Sequence, residues 1–139
     1  MFKKLLIILL AFATTKTFAQ KQTYTSTSSR AIKNLEQALK YYDSRQTTKA
    51  ITEAENAIKA DPGFIEAYML LGDLHADNNN LPAAIEAYKK AVAVNPRFFP
   101  NNLYALGRYE LELGKYDDAL QHFNEFVKME TAKPEKKEE

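Results

Sequence analysis

The sequence predicts an all-α chain of three antiparallel helix pairs, stacked one on the next. Apolar residues recur at three- and four-residue steps over most of residues 30–131, which is the helical period. Small and turn residues repeat at a near-constant interval. Ala50 and Ala84 are 34 residues apart, as are Pro62 and Pro96, while Ala84 to Ala119 and Leu71-Gly72 to Leu106-Gly107 are 35. The chain has no cysteine. Disulfides, thiol catalysis and zinc–thiolate sites are therefore excluded, and an exported chain of this kind must be stable by packing alone.

The first helix is expected over about Arg30 to Asp43, with Ile32, Leu35, Ala38, Leu39 and Tyr42 on one face. Ser28 or Ser29 is its expected cap, since a hydroxyl accepts from the free amides of a first turn. After a break at Ser44 to Thr47, with Thr47 as cap, a second helix runs to Ala60. Asp61-Pro62-Gly63 ends it, because proline cannot donate into a continuing helix and glycine permits a reversal. The third helix covers about Phe64 to Asp77. Its Gly72 costs ~1 kcal/mol relative to alanine, so a close helix crossing must offset that loss. Residues 77–80 form a turn. Asn80 is the expected cap of the fourth helix, and Pro82 sits in its first turn, where no donor is lost. The interval slips by one residue around Phe98 to Pro100. Gly114 then marks the tight turn between the last two helices, and Asp117 and Asp118 suit the positive end of the sixth helix.

At fixed spacing, Tyr68-x2-Leu71-Gly72-x2-His75, then Ala84-x3-Tyr88 and Pro96, resemble the tetratricopeptide repeat signature. Tyrosine stands for tryptophan at its first position and histidine for tyrosine at its fourth. Leu103-x2-Leu106-Gly107 with Ala119-x3-Phe123 resembles it again, and Ala31 to Gly63 is a degenerate copy. The resemblance covers repeats at about 31–63, 64–97 and 98–131, and implies a right-handed superhelix. One such unit cannot bury its own apolar face and needs neighbours.

The resemblance also implies where a partner would sit. The first helix of each repeat lines a concave groove in this family. Carried over by position, the candidate groove residues are Tyr42, Met69, Asp73, Asp77, Tyr104, Arg108 and Glu112. Asp73 is expected to pair with Arg108, the one cation among the carried-over positions. The basic and amide clamp of chaperone-binding members is missing, since its positions hold Leu35, Leu39, Leu70, Asn101 and Ala105. An acidic groove of this kind suits basic or mixed peptides with apolar anchors. A second surface is expected at the last helix, where Leu120, Phe123, Phe126 and Val127 form an apolar stripe with no following helix. Phe126 stands where a small residue is expected. Exposed apolar patches mark interfaces, so the stripe is expected to meet a partner, a second copy in a homodimer, or a helix of a longer parent chain.

The N-terminal segment carries an address. Lys3 and Lys4 precede an apolar run, Leu5 to Ala13, and Thr17-Phe18-Ala19 ends in a small residue. Residues 1–19 therefore read as a secretory signal peptide. At ~1.5 Å per residue the run is too short to cross ~30 Å of hydrocarbon. Phe18-Ala19-Gln20 resembles the signal peptides of Bacteroidota envelope proteins. The whole pattern resembles the N-terminal part of such proteins, in which repeats precede a β-propeller and an OmpA-like domain, some tied to type IX secretion and gliding. Export to the periplasm is expected, either free or held at the outer membrane by another component. Residues 20–29 read as a flexible leader. Residues 132–139 read as a charged tail, or as the opening of something longer.

Other functions find little footing. Cleavage after Ala19 would remove Lys3, Lys4 and Lys16 and no acid, leaving 16 basic against 18 acidic residues, a net charge of −2. Nucleic-acid binding needs concentrated positive charge. All four glycines have structural places, so none is left for a phosphate-cradling loop. His75 reads as a packing residue and His122 as solvent-facing, and their spacing is not that of a metal site. The expectation is a protein-binding scaffold in the envelope, with no catalytic residue, metal or cofactor. The alternative is a self-associating module that uses the last repeat's open face.

Overall fold

The computed structural model describes residues 23–132. The expected signal peptide, the first three leader residues and residues 133–139 of the tail lie outside them. Six helices follow in order: α1 Ser29–Asp43, α2 Thr47–Ala60, α3 Ile65–Asp77, α4 Leu81–Val94, α5 Asn101–Glu112 and α6 Tyr116–Thr131. They pair as α1/α2, α3/α4 and α5/α6, and α3 and α5 pack on α2 and α4 respectively to stack the pairs.

Alanines and glycines set the distance between the helices. Ala31, Ala38, Ala50, Ala54, Ala57, Ala84, Ala91 and Ala119 are all buried. Small residues on one helix let large ones on the next settle into its grooves. In the first stack Leu35 and Ala54 pack with Phe64, Leu70 and Leu74 across the repeat boundary. In the second, Met69, Ile85 and Tyr88 meet Ala105, Leu106 and Tyr109. A Cβ at Gly72 would lie 2.6 Å from the Tyr88 ring, and one at Gly107 would lie 2.8 Å from that of Phe123. The close crossing expected at Gly72 is therefore present, and Gly107 marks a second.

The caps are partly as expected. The Ser28 hydroxyl accepts from the Ala31 amide at 3.2 Å, and Asn80 Oδ1 accepts from Ala83 at 3.3 Å. Thr47 does not cap α2; it is the first helical residue, and Gln46 before it accepts from Lys49 Nζ and from no amide of the first turn. Gly63 does not supply left-handed backbone either. Its amide donates to Asp61 Oδ1 at 2.9 Å, which closes the turn by a side-chain route open to many residues. The left-handed positions lie in the turns inside each pair, at Arg45 (φ 58), Asn79 (φ 56) and Gly114 (φ 73). The connection at residues 95–100 is longer than its counterpart at 61–64 and takes up the slip in register. There Phe98 and Phe99 pack edge to face at 4.8 Å.

The leader departs from expectation. Residues 24–28 form a strap docked on the start of α3. Thr25 Oγ1 accepts from the Ile65 amide at 3.1 Å, capping a helix whose own N-cap residue, Phe64, has no polar side chain. The Thr25 amide donates to Glu66 Oε1 at 2.9 Å, and its hydroxyl donates to the same carboxylate. Ser26, buried, donates to Asp61 Oδ2 at 2.5 Å, and Tyr24 meets the Phe64 ring edge-on at 5.8 Å. These partners lie 35 or more residues away in sequence. Hydroxyl-rich sequence with no apolar period gave no sign of them.

Candidate functional site

A polar strip crosses the three pairs from α1 through α3 to α5. Asp73 and Asp77 stand one turn apart on α3, so their carboxylates share a face. The Tyr42 hydroxyl donates to Asp77 Oδ2 at 2.7 Å, joining the first repeat to the second. The Tyr88 hydroxyl donates to Asp73 Oδ1 from the facing helix of the same pair. Tyr109 on α5 lies 5.9 Å from the Tyr88 ring and feels the Asp73 charge, and the Arg108 guanidinium lies 5.5 Å over the Tyr109 ring. Two carboxylates, three phenols and one cation therefore form a continuous surface.

Its electrostatics follow from crowding at a half-wet interface. Burial raises the Asp73 carboxyl above the usual range and the Asp77 charge adds to this, while the Tyr88 hydroxyl works in the opposite direction. The hydrogen bond to Asp77 is the main reason the Tyr42 hydroxyl is pushed up to about 12. Tyr88 is raised further, first by burial and then by its bond to Asp73. All three phenols thus remain neutral donors at ordinary pH. Above pH ~10 the tyrosines of an unfolded chain ionise, whereas Tyr88 in the folded chain does not. The folded state then holds more protons, so stability must fall as pH rises. Tyr88→Phe is expected to flatten that fall between pH ~9 and ~11. Urea melts at the two values measure it, and an unchanged difference between them would count against the assignment.

The strip gathers some of the residues expected from sequence and leaves others out. Tyr42, Asp73, Asp77 and Arg108 share it, and exposed Glu112 contributes to the field at the Tyr109 hydroxyl. Met69 does not join them; it packs between the second and third repeats with Ile85, Leu106 and Tyr109. Tyr104, still exposed, leans toward α6, its ring 5.8 Å from Phe123 and 5.6 Å from Phe126. The expected Asp73–Arg108 ion pair is absent among the described residues, since Asp73 accepts from Tyr88 and Arg108 rests on Tyr109. Tyr88 and Tyr109 were missed. Tyr88 had the sequence signal of a ring filling the space over Gly72, which it also does, but nothing in its spacing marked the hydroxyl.

At the far end, Leu120 and Val127 are 61% and 54% exposed. Phe123 and Phe126 are half-buried against Tyr104, so the stripe expected from sequence is open at only two of its four residues. His122 is not solvent-facing: its Nδ1 lies 2.6 Å from Oε2 of Glu110, which is 0% exposed. Glu110 holds the place of Tyr41 and His75 in the earlier repeats, and a buried carboxylate needs a partner. His75 is half-buried and lines an open cleft of about 380 Å³ with Tyr68, Leu71 and Lys90. A larger cleft of about 590 Å³ opens between the α4–α5 connection and α6, lined by Pro96, Arg97, Pro100 and Met129. No group of three or more metal-ligating side chains occurs among the described residues. None of their helices is long and apolar enough to cross a membrane.

Comparison with known proteins agrees with this geometry. The sequence profile of the tetratricopeptide repeat matches residues 35–102 and 104–138. Anaphase-promoting complex subunit 3 of Schizosaccharomyces pombe is 35% identical over 79 residues, covering 57% of this chain and 12% of that protein. Superkiller complex protein 3 of Homo sapiens is 24% identical over 94 residues, covering 68% and 6%. The chain thus spans an eighth or less of these curated relatives. Among solved structures, MamA superposes with a TM-score of 0.70 at 22% identity, over 75% of this chain and 60% of MamA. The first TPR of Spaghetti (RPAP3), bound to the HSP90 peptide SRMEEVD, gives 0.68 at 19% identity, over 76% and 83%. At these identities the likeness shows a shared superhelical fold.

Proposed function

The chain belongs to the tetratricopeptide repeat family, and from that premise we propose that it is an exported scaffold holding a protein or peptide partner in the bacterial envelope. The reading rests chiefly on the strip from Tyr42 to Arg108. It is open and extended, and carries two carboxylates with phenol rings beside them. Such a surface suits a peptide with a lysine or arginine for Asp73 and Asp77, since rings next to carboxylates add cation–π attraction to charge pairing. It opposes an acidic peptide such as the one in the Spaghetti complex, because like charges across an interface are costly. Scaffolding suits it better than catalysis, as both phenol–carboxylate pairs lie along an open, extended strip.

Export is supported by the basic, apolar and small-residue order of residues 1–19, and placement in a secretion or surface assembly by the resemblance to envelope proteins. Fractionation of the native host tests the first: retention in the cytosol with residues 1–19 still attached would end it. Peptide binding tests the groove. A basic peptide with apolar anchors should bind the chain and weaken about tenfold with Asp73→Asn plus Asp77→Asn, equal to ~1.4 kcal/mol. Arg108→Glu should strengthen it, and added salt should weaken it. Equal binding of the charge-reversed peptide, or indifference to the carboxylate variants, would overturn the groove reading.

A further inference from the structure

The open end of the stack repeats an interface that the molecule has already built. Between the second and third repeats, Met69, Ile85 and Tyr88 are covered by Ala105, Leu106 and Tyr109 of α5. Moving 35 residues along gives Tyr104, Leu120 and Phe123. Ile85 is 1% exposed, whereas Leu120 is 61% exposed and Tyr104 47%. Three occupants other than the same face of a second copy are disfavoured by the residues themselves. A further helix packed as α5 packs on the second repeat would need a small residue at position 126. Ala57 and Ala91 hold that place in the earlier repeats and are fully buried. Phe126 fills the space and lays its ring on Tyr104 at 5.6 Å. A copy stacked head to tail would bring the outer face of α1, where Glu36, Gln37 and Lys40 stand in place of Leu70, Leu71 and Leu74. Those polar residues cap that end of the stack. Residues 133–139 hold only lysine, proline and glutamate and have nothing apolar to offer.

The remaining occupant is self-complementary. We propose that the α6 end face seats the same face of a second copy, with the two α6 helices antiparallel about a two-fold axis beside Asn124. Leu120 and Val127 are two helical turns apart, ~10 Å at 1.5 Å per residue, so an antiparallel pair sets Leu120 against the partner's Val127 and the reverse. A two-fold contact of this kind closes on itself and does not grow into a filament. Asp117 and Asp118 at one end of α6 come beside the partner's Lys128. Exposed Asn124 lies at the axis, where a polar residue in an apolar seam fixes register. The strip residues Tyr42, Asp73, Asp77 and Arg108 take no part, so this contact stands or falls apart from the peptide-binding reading.

Sedimentation of the full chain from low to high micromolar concentration should show a concentration-dependent dimer. Leu120→Asp and Val127→Asp should each give a monomer at the highest concentration. Circular dichroism, and the melting temperature at low concentration where the wild type is monomeric, should stay near wild type, because both side chains are exposed in the monomer. The native chain has no cysteine, which permits a second measurement on otherwise unaltered protein. Asn124→Cys should oxidise readily to a covalent dimer, and Gln37→Cys, on the outer face of α1, should not. A monomer throughout, with no cross-link at position 124, would overturn the proposal. So would a dimer indifferent to both aspartate substitutions, or cross-linking through position 37.

Discussion

His122→Ala is expected to destabilise the fold by about 3 kcal/mol, because it removes the close hydrogen-bond donor of a buried carboxylate. For a domain of this size that lowers the melting temperature by roughly 10–15 °C. The Glu110 carboxylate has no exposure to water. It is held by His122 Nδ1 at 2.6 Å on α6 and Lys89 Nζ at 3.7 Å on α4. A carboxylate only accepts, so the imidazole carries its proton on Nδ1. Glu110 Oε1 has no hydrogen bond of its own, which leaves His122 as the single close donor. Truncating it strands a charge in the seam between α5 and α6. Lys89 is 40% exposed and free to lean inward, which puts the expected loss at the low end of the range for such pairs.

Companion variants should follow from the same buried carboxylate. Replacing both Glu110 and His122 by leucine should cost far less than His122→Ala alone, because an apolar pair needs no desolvated charge. His122→Gln retains a donor and should fall between the two. Urea denaturation of the four proteins measures this. A His122→Ala variant within 0.5 kcal/mol of wild type, the span of ordinary surface changes, would show that the carboxylate is satisfied some other way.

What could be read from sequence was whatever is encoded at fixed spacing. Leu71-Gly72 and Leu106-Gly107 mark helix crossings because only a missing side chain allows them, and Ala50, Ala84 and Ala119 mark the facing grooves. Glu110 was legible as a position but not as a chemistry: the 35-residue step placed it with His75, yet nothing local to it names His122 twelve residues on. The strap was illegible because Thr25, Ser26 and Tyr24 find their partners through chain reversal, not period. Two residues carried over by position to the groove have packing partners that position does not name. Met69 faces the next repeat, and Tyr104 is drawn to α6 by Phe126, whose size breaks the small-residue rule. Tyr88 shows the remaining gap, since its ring was predictable from Gly72 and the target of its hydroxyl was not.

Gly72→Ala is expected to destabilise by about 2 kcal/mol, although the same change at an open helix position gains ~1 kcal/mol. The new Cβ would stand 2.6 Å and 2.7 Å from two carbons of the Tyr88 ring, well inside contact distance. The ring has little room to yield. Its hydroxyl is tied to Asp73, and its faces meet Ile85, Leu106 and Tyr109. Overpacking of a fixed neighbour costs 1–3 kcal/mol or somewhat more, so the clash outweighs the propensity. Gly107→Ala makes the contrast. Its Cβ would lie 2.8 Å from Phe123, a ring with no hydroxyl anchor at the open end of the stack, which can swing aside. The expected cost there is about 0–1 kcal/mol, since relief of strain is cheap where neighbours can move. Denaturant melts rank the pair, and equal losses would contradict the claim that the Tyr88–Asp73 bond makes the second repeat rigid. Displacing the Tyr88 ring also withdraws its hydroxyl from Asp73. Gly72→Ala should therefore weaken binding of the basic peptide, and Gly107→Ala should leave it unchanged.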